Sequence, residues 1–245
     1  MLVFGRSGQV ATELQRLNDV VALGRDQVDL LYPAACAAVV RAHRPRAVIN
    51  AAAYTGVDAA EEDEAMATVI NANAPAAMAR ACAALDVPFV HISTDYVFAG
   101  TGSQSWTPDD SVDPQNAYGR SKLAGEEAIR AVGGRYAIMC TSWVFCAHGG
   151  NFVKTMLSLS ESGASLRVVD DQIGAPPPSA RLPQPASTSP INWAKAPLNR
   201  AHITSAERPI PTRAIPPARS LPWPSAPPSS SRLPPLTIPR QPRGR

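Results

Sequence analysis

The sequence predicts an α/β fold with a doubly wound parallel sheet. Short runs rich in Val and Ile alternate with longer segments whose apolar residues recur at helical spacing, so that each strand is followed by a helix rather than a hairpin. The first run also ends in a glycine-bearing turn that leads directly into a helix. Strands connected in this way pair in parallel, with helices on both faces of the sheet.

The opening "MLVFGRSGQVATELQRL" reads as strand, loop and helix, the helix carrying Val10, Leu14 and Leu17 on one stripe. "DVVALG" (19–24) is a second short strand, "PAACAAVVRAHRP" (33–45) a helix bounded by proline at each end, and "RAVINAAA" (46–53) a third strand. Residues 61–86 are predicted as one long Ala-rich helix with acids in its first turn, where the macrodipole favours them. "VPFVHIS" (87–93) is a fourth strand, a loop runs from Asp95 to Asn116, and a helix begins in "NAYGRSKLAG". A fifth strand (135–145), a helix (151–162) and a sixth strand (165–170) complete the alternation.

At 245 residues and 45% hydrophobic content, the chain is long enough for one large α/β domain or two small ones. Its composition divides it unequally. Residues 1–175 hold 6 prolines and 13 basic against 19 acidic side chains, a net charge of −6. Residues 176–245 hold 19 prolines and 10 basic side chains against one acid, Glu207, a net charge of +9. The overall +3 therefore describes neither part and does not argue for a nucleic-acid partner. We expect a cofactor-binding domain over 1–175 and, over 176–245, a Pro/Arg/Ser-rich segment without packed elements, since proline at that density removes backbone donors and helical φ/ψ. Two origins fit that segment: a disordered arm, or translation in a shifted frame of a GC-rich gene. The four cysteines, Cys36, Cys82, Cys140 and Cys146, lie in apolar surroundings without a C-x-x-C pair and read as buried thiols of a reducing compartment. With no signal segment or apolar span in view, the expectation is a cytoplasmic protein without a membrane partner.

In a doubly wound sheet, ligands bind beyond the carboxyl ends of the strands. After the first strand, Gly5, Gly8 and Ala11 follow the spacing of a turn that lets backbone approach a pyrophosphate and a helix pack closely on its strand. A plain strand-to-helix turn would look the same. After the second strand, Arg25 leans towards a 2′-phosphate and hence NADP, although Asp26 is adjacent and Arg25 could be a solvated loop residue. Small residues after the third strand would admit a flat ring or ribose, and Ser93, Thr94, Asp95 and Tyr96 cluster after the fourth. Thr94 and Asp95 could equally cap a turn, and Tyr96 could be core.

Tyr118 and Lys122 stand four residues apart, on one helical face. An exposed face with an incidental Tyr and Lys would also show this spacing. The chemical alternative is a proton donor with a tuned pKa. A cation about 4 Å from a phenol, at an effective dielectric of about 20, contributes roughly 4 kcal/mol, an upper limit of about three pKa units below the free value before desolvation opposes it.

The phrases "FGRSGQVATEL", "NAAAYTGVDAAE", "ISTDYVFAG", "NAYGRSKLAGE", "TSWVF" and "VVDDQIGAP" together resemble the dTDP-4-dehydrorhamnose reductase family of the extended short-chain dehydrogenase/reductases, from Leu2 to about Pro176. The resemblance implies a Rossmann-like fold and hydride transfer from NADPH, or NADH as the alternative, to a dTDP-linked 4-keto sugar nucleotide. It implies catalytic roles for Tyr118, Lys122 and Thr94. By the same correspondence Gly5, Gly8, Gln9, Val10, Arg25, Asp29, Leu30, Ala52, Ala53 and Tyr54 join Tyr118 and Lys122 in holding the cofactor. Thr94, Asp95 and Trp143 would touch the substrate. No site residue reads as a metal ligand, yet Mg2+ is a further expectation of the resemblance, and a homodimer is allowed for. The competing reading is a non-catalytic, NADP-binding regulatory subunit of the same fold, such as the beta subunit of methionine adenosyltransferase. In the family a further stretch of well over a hundred residues follows and completes the sugar-nucleotide site; here the proline-rich segment stands in its place.

Overall fold

The computed structural model describes residues 1–16, 19–101, 106–161 and the backbone of 199–204. Strands β1 (Leu2–Phe4), β2 (Val21–Leu23), β3 (Val48–Asn50), β4 (Phe89–Thr94), β5 (Tyr136–Thr141) and β6 (Asn199–Thr204) form one sheet in the order β2-β1-β3-β4-β5-β6. Every pairing is parallel. Helices α1 (Gln9–Leu14), α2 (Pro33–His43), α3 (Val57–Glu62), α4 (Glu64–Thr68), α5 (Ala74–Ala84), α6 (Ala117–Val132) and α7 (Phe152–Glu161) connect or follow the strands.

Burial on both faces explains why β1 is apolar throughout, since successive side chains of a strand point to opposite sides of the sheet. In β1, Leu2 and Phe4 face a core shared with Cys36 and Val40 of α2 and Met78 of α5. Val3, between them, faces the opposite core with Ala11 and Leu14 of α1, Ile49 and Val90. Both faces of the sheet are thus covered, as expected for parallel strands.

One expectation needs correction. The helix expected over 61–86 is interrupted: Asp63 leaves helical geometry at φ −142° and caps α4 by accepting from the Met66 N–H at 2.9 Å, and a π-helical turn (Val69–Asn73) separates α4 from α5. The acid that reads as a first-turn helper is a stop and restart. In the segment after Pro176, Asn199–Thr204 pairs with β5. This hexapeptide falls in the longest proline-free run of that segment, Leu198 to Arg208, where each residue keeps the N–H a ladder needs. The sixth strand expected at 165–170 lies outside the described residues. Among the described residues no helix is long and apolar enough to cross a membrane.

Candidate active site at the strand ends

The chain leaves β1 for β2 on one side and returns to β3 on the other, so a crevice opens where the carboxyl ends of β1 and β3 diverge. Gly5 lies at its base with φ 106°, and a β-carbon there would stand 3.3 Å from the Ala51 carbonyl and the Ala52 nitrogen. Only glycine permits that left-handed turn at that approach. A β-carbon at Gly8 would meet no atom within 4 Å, and Ala11 is fully buried where α1 rests on the sheet. The turn is therefore tight at its first position, open at its second and closely packed at its third, which fits a nicotinamide dinucleotide. The Gln9 side chain ties the turn to the far loops, donating to the Val144 carbonyl at 3.3 Å and the Gly150 carbonyl at 3.4 Å. Val10 lies half-buried beside it, packed against the second core.

At the end of β2, Arg25 is exposed and donates to Asp29 Oδ2 at 3.0 Å. Asp29 also accepts from the Leu31 N–H; that bond, ahead of the one from Arg25, lowers its carboxyl pKa against desolvation. Leu30 is buried. A second arginine shares this rim: Arg6, in the glycine turn, donates to Asp26 at 2.8 Å and reaches Gln27 at 3.3 Å. Nothing in the spacing of the turn marks Arg6; it is found only once β1 and β2 are known to be neighbours.

At the end of β3, Ala52, Ala53 and Tyr54 form a half-buried run. Asn71, in the π-helical turn, accepts from the Tyr54 N–H at 2.8 Å and donates to the Tyr54 carbonyl at 3.0 Å and to Ser121 Oγ at 3.0 Å. Asn71 thus clamps this run to α6. The available signal was a buried-looking Asn inside an Ala-rich helix, the kind of place where π turns serve function.

Thr94 ends β4. Its hydroxyl accepts from the Tyr96 N–H at 3.3 Å, donates to Asp95 Oδ1 at 3.2 Å and stands beside the Tyr118 phenol. The turn-capping role and the contact with Tyr118 coexist. Asp95 also bonds Ser142, but burial dominates and raises its carboxyl pKa. The Tyr96 and Tyr118 rings meet edge to face with centroids 5.6 Å apart. Trp143 follows β5 in a left-handed backbone at φ 52°, with its ring 5.7 Å from that of Phe152.

The Lys122 side chain takes its hydrogen bonds inside the sheet. Tyr118 and Lys122 share α6, but Lys122 is 1% exposed and its Nζ is turned into the sheet, donating to the Ile92 carbonyl at 2.6 Å and lying 3.1 Å from His91 Nε2. The phenol is accordingly not acidified: burial pushes the Tyr118 pKa up to about 12, which the bond from Thr94 only partly offsets while Asp95 and Tyr96 raise it further. Burial pushes Lys122 down to about 8. The thiols also divide, since Cys36, Cys82 and Cys140 are buried whereas Cys146 is partly exposed. The expectation of Mg2+ finds no fit, because among the described residues no group of three or more His, Cys, Asp or Glu side chains could hold a metal ion.

This geometry has close counterparts. The RmlD substrate binding domain family matches residues 1–219, past the Pro176 limit of the motifs read from sequence. The dTDP-4-dehydrorhamnose reductase of Burkholderia thailandensis is 47% identical over 180 residues, covering 72% of this chain and 60% of that protein. Its Escherichia coli K12 counterpart is 41% identical over 184 residues, covering 72% and 62%. The chain thus spans about three fifths of the length of these curated relatives. Among solved structures, the Clostridium acetobutylicum dTDP-4-dehydrorhamnose reductase superposes with a TM-score of 0.77 at 34% identity, over 84% of this chain and 73% of that one. The Bacillus anthracis enzyme in complex with NADP gives 0.74 at 33%, over 84% and 74%.

Proposed function

The chain belongs to the RmlD substrate binding domain family, and from that premise we propose that it reduces the 4-keto group of dTDP-4-dehydro-L-rhamnose with NADPH, as a dTDP-4-dehydrorhamnose reductase. The observation that carries this reading is that Thr94, at the end of β4, and Tyr118, at the start of α6, bring two hydroxyls together at one point of the rim. A bound reduced nicotinamide supplies the hydride. Tyr118 holds the proton that the ketone oxygen must receive, and Thr94 is the second donor to that oxygen. Gly5, Gly8, Gln9 and Val10 would line the pyrophosphate, Ala52, Ala53 and Tyr54 the ribose side, and Asp29 and Leu30 the adenine side. Arg25, at the end of β2, and Arg6, in the glycine turn after β1 and bonded across to Asp26, favour a 2′-phosphate and hence NADPH over NADH. Asp95 and Trp143 would meet the sugar nucleotide.

The domain boundary near residue 175 belongs to this proposal too. Because the relatives continue well beyond the matched length, substrate contacts there are in question, and cofactor binding should be stronger than turnover. Calorimetric titration of the full chain with NADPH and with NADH, beside a turnover assay with dTDP-4-dehydro-L-rhamnose, tests it. Binding of NADPH with weak turnover is expected; a folded sample that binds neither nucleotide overturns the reading.

A further inference from the structure

Lys122 is the only lysine or arginine that is fully buried among the described residues, and the groups around it set a direction for its hydrogen bonds. The Ala52 N–H donates to Asn50 Oδ1 at 3.2 Å, which turns the Asn50 amide nitrogen towards His91. That nitrogen can only donate, so His91 Nδ1, 3.1 Å away, accepts. A neutral imidazole that accepts at Nδ1 carries its proton on Nε2, and Nε2 faces Lys122 Nζ at 3.1 Å. An ammonium has no lone pair with which to receive that proton; a neutral amine has one, and keeps an N–H for the Ile92 carbonyl at 2.6 Å. With the amine neutral, every link from Ala52 to Ile92 is donor to acceptor. With the ammonium, donors oppose one another either at His91 or, if the Asn50 amide is reversed, at Ala52.

The surroundings agree. His91 is buried, and burial by itself moves its pKa below the ordinary value, in favour of a neutral imidazole. Burial also lowers Lys122, against Glu126 on the same helix and Cys140 of β5. Glu126 is drawn off by the Arg130 guanidinium at 2.6 Å and by hydrogen bonds from Ser93 and Cys140.

We propose that Asn50 and His91 are positioning residues for Lys122: their hydrogen-bond chain is complete with a neutral amine and broken by an ammonium, so Lys122 takes a proton from solvent when it leaves His91 to meet the cofactor. The final step rests on the reductase reading; the hydrogen-bond chain itself does not.

The protein has three lysines and four histidines, so the full chain labelled with 13C at lysine Cε and 15N in histidine gives few signals. One lysine should titrate well below the other two, with His91 as the Nε2–H tautomer above that midpoint. Asn50→Asp supplies a side chain that only accepts; it should turn His91 to the Nδ1–H tautomer and return Lys122 towards an ordinary lysine. Three lysines titrating together overturn the proposal, as does an Nδ1–H tautomer in the unaltered protein. So does an Asn50→Asp variant that shifts Lys122 without changing the tautomer, since added charge alone would do that. Should that variant fail to fold, the spectra of the unaltered protein still decide. Calorimetry with NADPH above the Lys122 midpoint, in two buffers of different ionisation enthalpy, should show proton uptake. Binding without uptake overturns the coupling to cofactor. Absence of binding counts against the reductase reading, while the tautomer and the lysine midpoint still decide the hydrogen-bond chain.

Discussion

Burial raises the Tyr118 pKa to about 12, further above neutrality than an ordinary phenol, so at neutral pH it is an acid waiting for a base. A cation must come closer before the phenol can give the proton up, and Lys122, held against Ile92 and His91, is the group that can do so by turning. Tyr118→Phe removes the acid and little volume. It should lower turnover by about 10²–10⁴-fold with NADPH affinity nearly unchanged, checked by steady-state kinetics beside calorimetry; retained turnover would assign the acid elsewhere. Lys122→Ala should weaken both cofactor binding and turnover. The pair Tyr118 and Thr94 was legible because each lies at a position that local sequence defines, a helix start and a strand end. The direction of Lys122 was not, since it depends on His91 and Asn50, two polar residues in apolar strands distant in sequence. Their signal was there: a parallel strand buried on both faces has no use for His or Asn unless something inside needs a partner.

At the scale of elements, the first five strands and their parallel pairing followed from alternation with helices, whereas β6 and the interruption of the helix at 61–86 did not. Capping by Asp63 and the turn around Asn71 answer to tertiary contacts, and an Ala-rich sequence conceals both. Gly125 shows how tight that fit is: a β-carbon there would stand 2.1 Å from the Asn71 carbonyl oxygen. In a free helix Gly→Ala gains roughly 0.5–1 kcal/mol. Here the clash should win, and Gly125→Ala is expected to destabilise the fold by about 1–3 kcal/mol. It should also loosen the clamp on Tyr54 and weaken cofactor binding. Urea unfolding and NADPH titration of the variant measure both effects; a rise in stability would mean that α6 can move off the π turn at no cost.

For the whole molecule, buried thiols and the phenol set the alkaline limit. Burial raises Cys36 to about 11 and Cys82 to about 12 from an ordinary 9.0, and raises Cys140 as well. Their contribution is fully present below pH 9.0 and is lost as pH climbs through the folded values, because the unfolded chain releases these protons first. Lys122 runs the other way. Its folded value of about 8 lies below the ordinary 10.5, so its cost is relieved between those two values. Three thiols outweigh one amine, and the urea midpoint should fall as pH rises above 9.0, less steeply in Cys82→Ala. The segment after Pro176 has a test at the level of its gene: translating the other two frames downstream of codon 176 should reveal helix and strand patterns if a frame shift produced it. If neither frame does, the arm must be taken as the protein's own.

Strand β5 reads Tyr-Ala-Ile-Met-Cys-Thr, six residues with neither charge nor proline, and β6 lies along its outer side. Such a strand, left bare, offers a row of unpaired amides and carbonyls to any other chain with the same edge. Whatever its origin, the stretch at 199–204 moves the sheet's edge from this uncharged strand to one whose sequence carries Arg200, a residue type that discourages edge-to-edge pairing. A chain cut before Asn199 should scatter light increasingly with concentration, whereas the uncut protein should not.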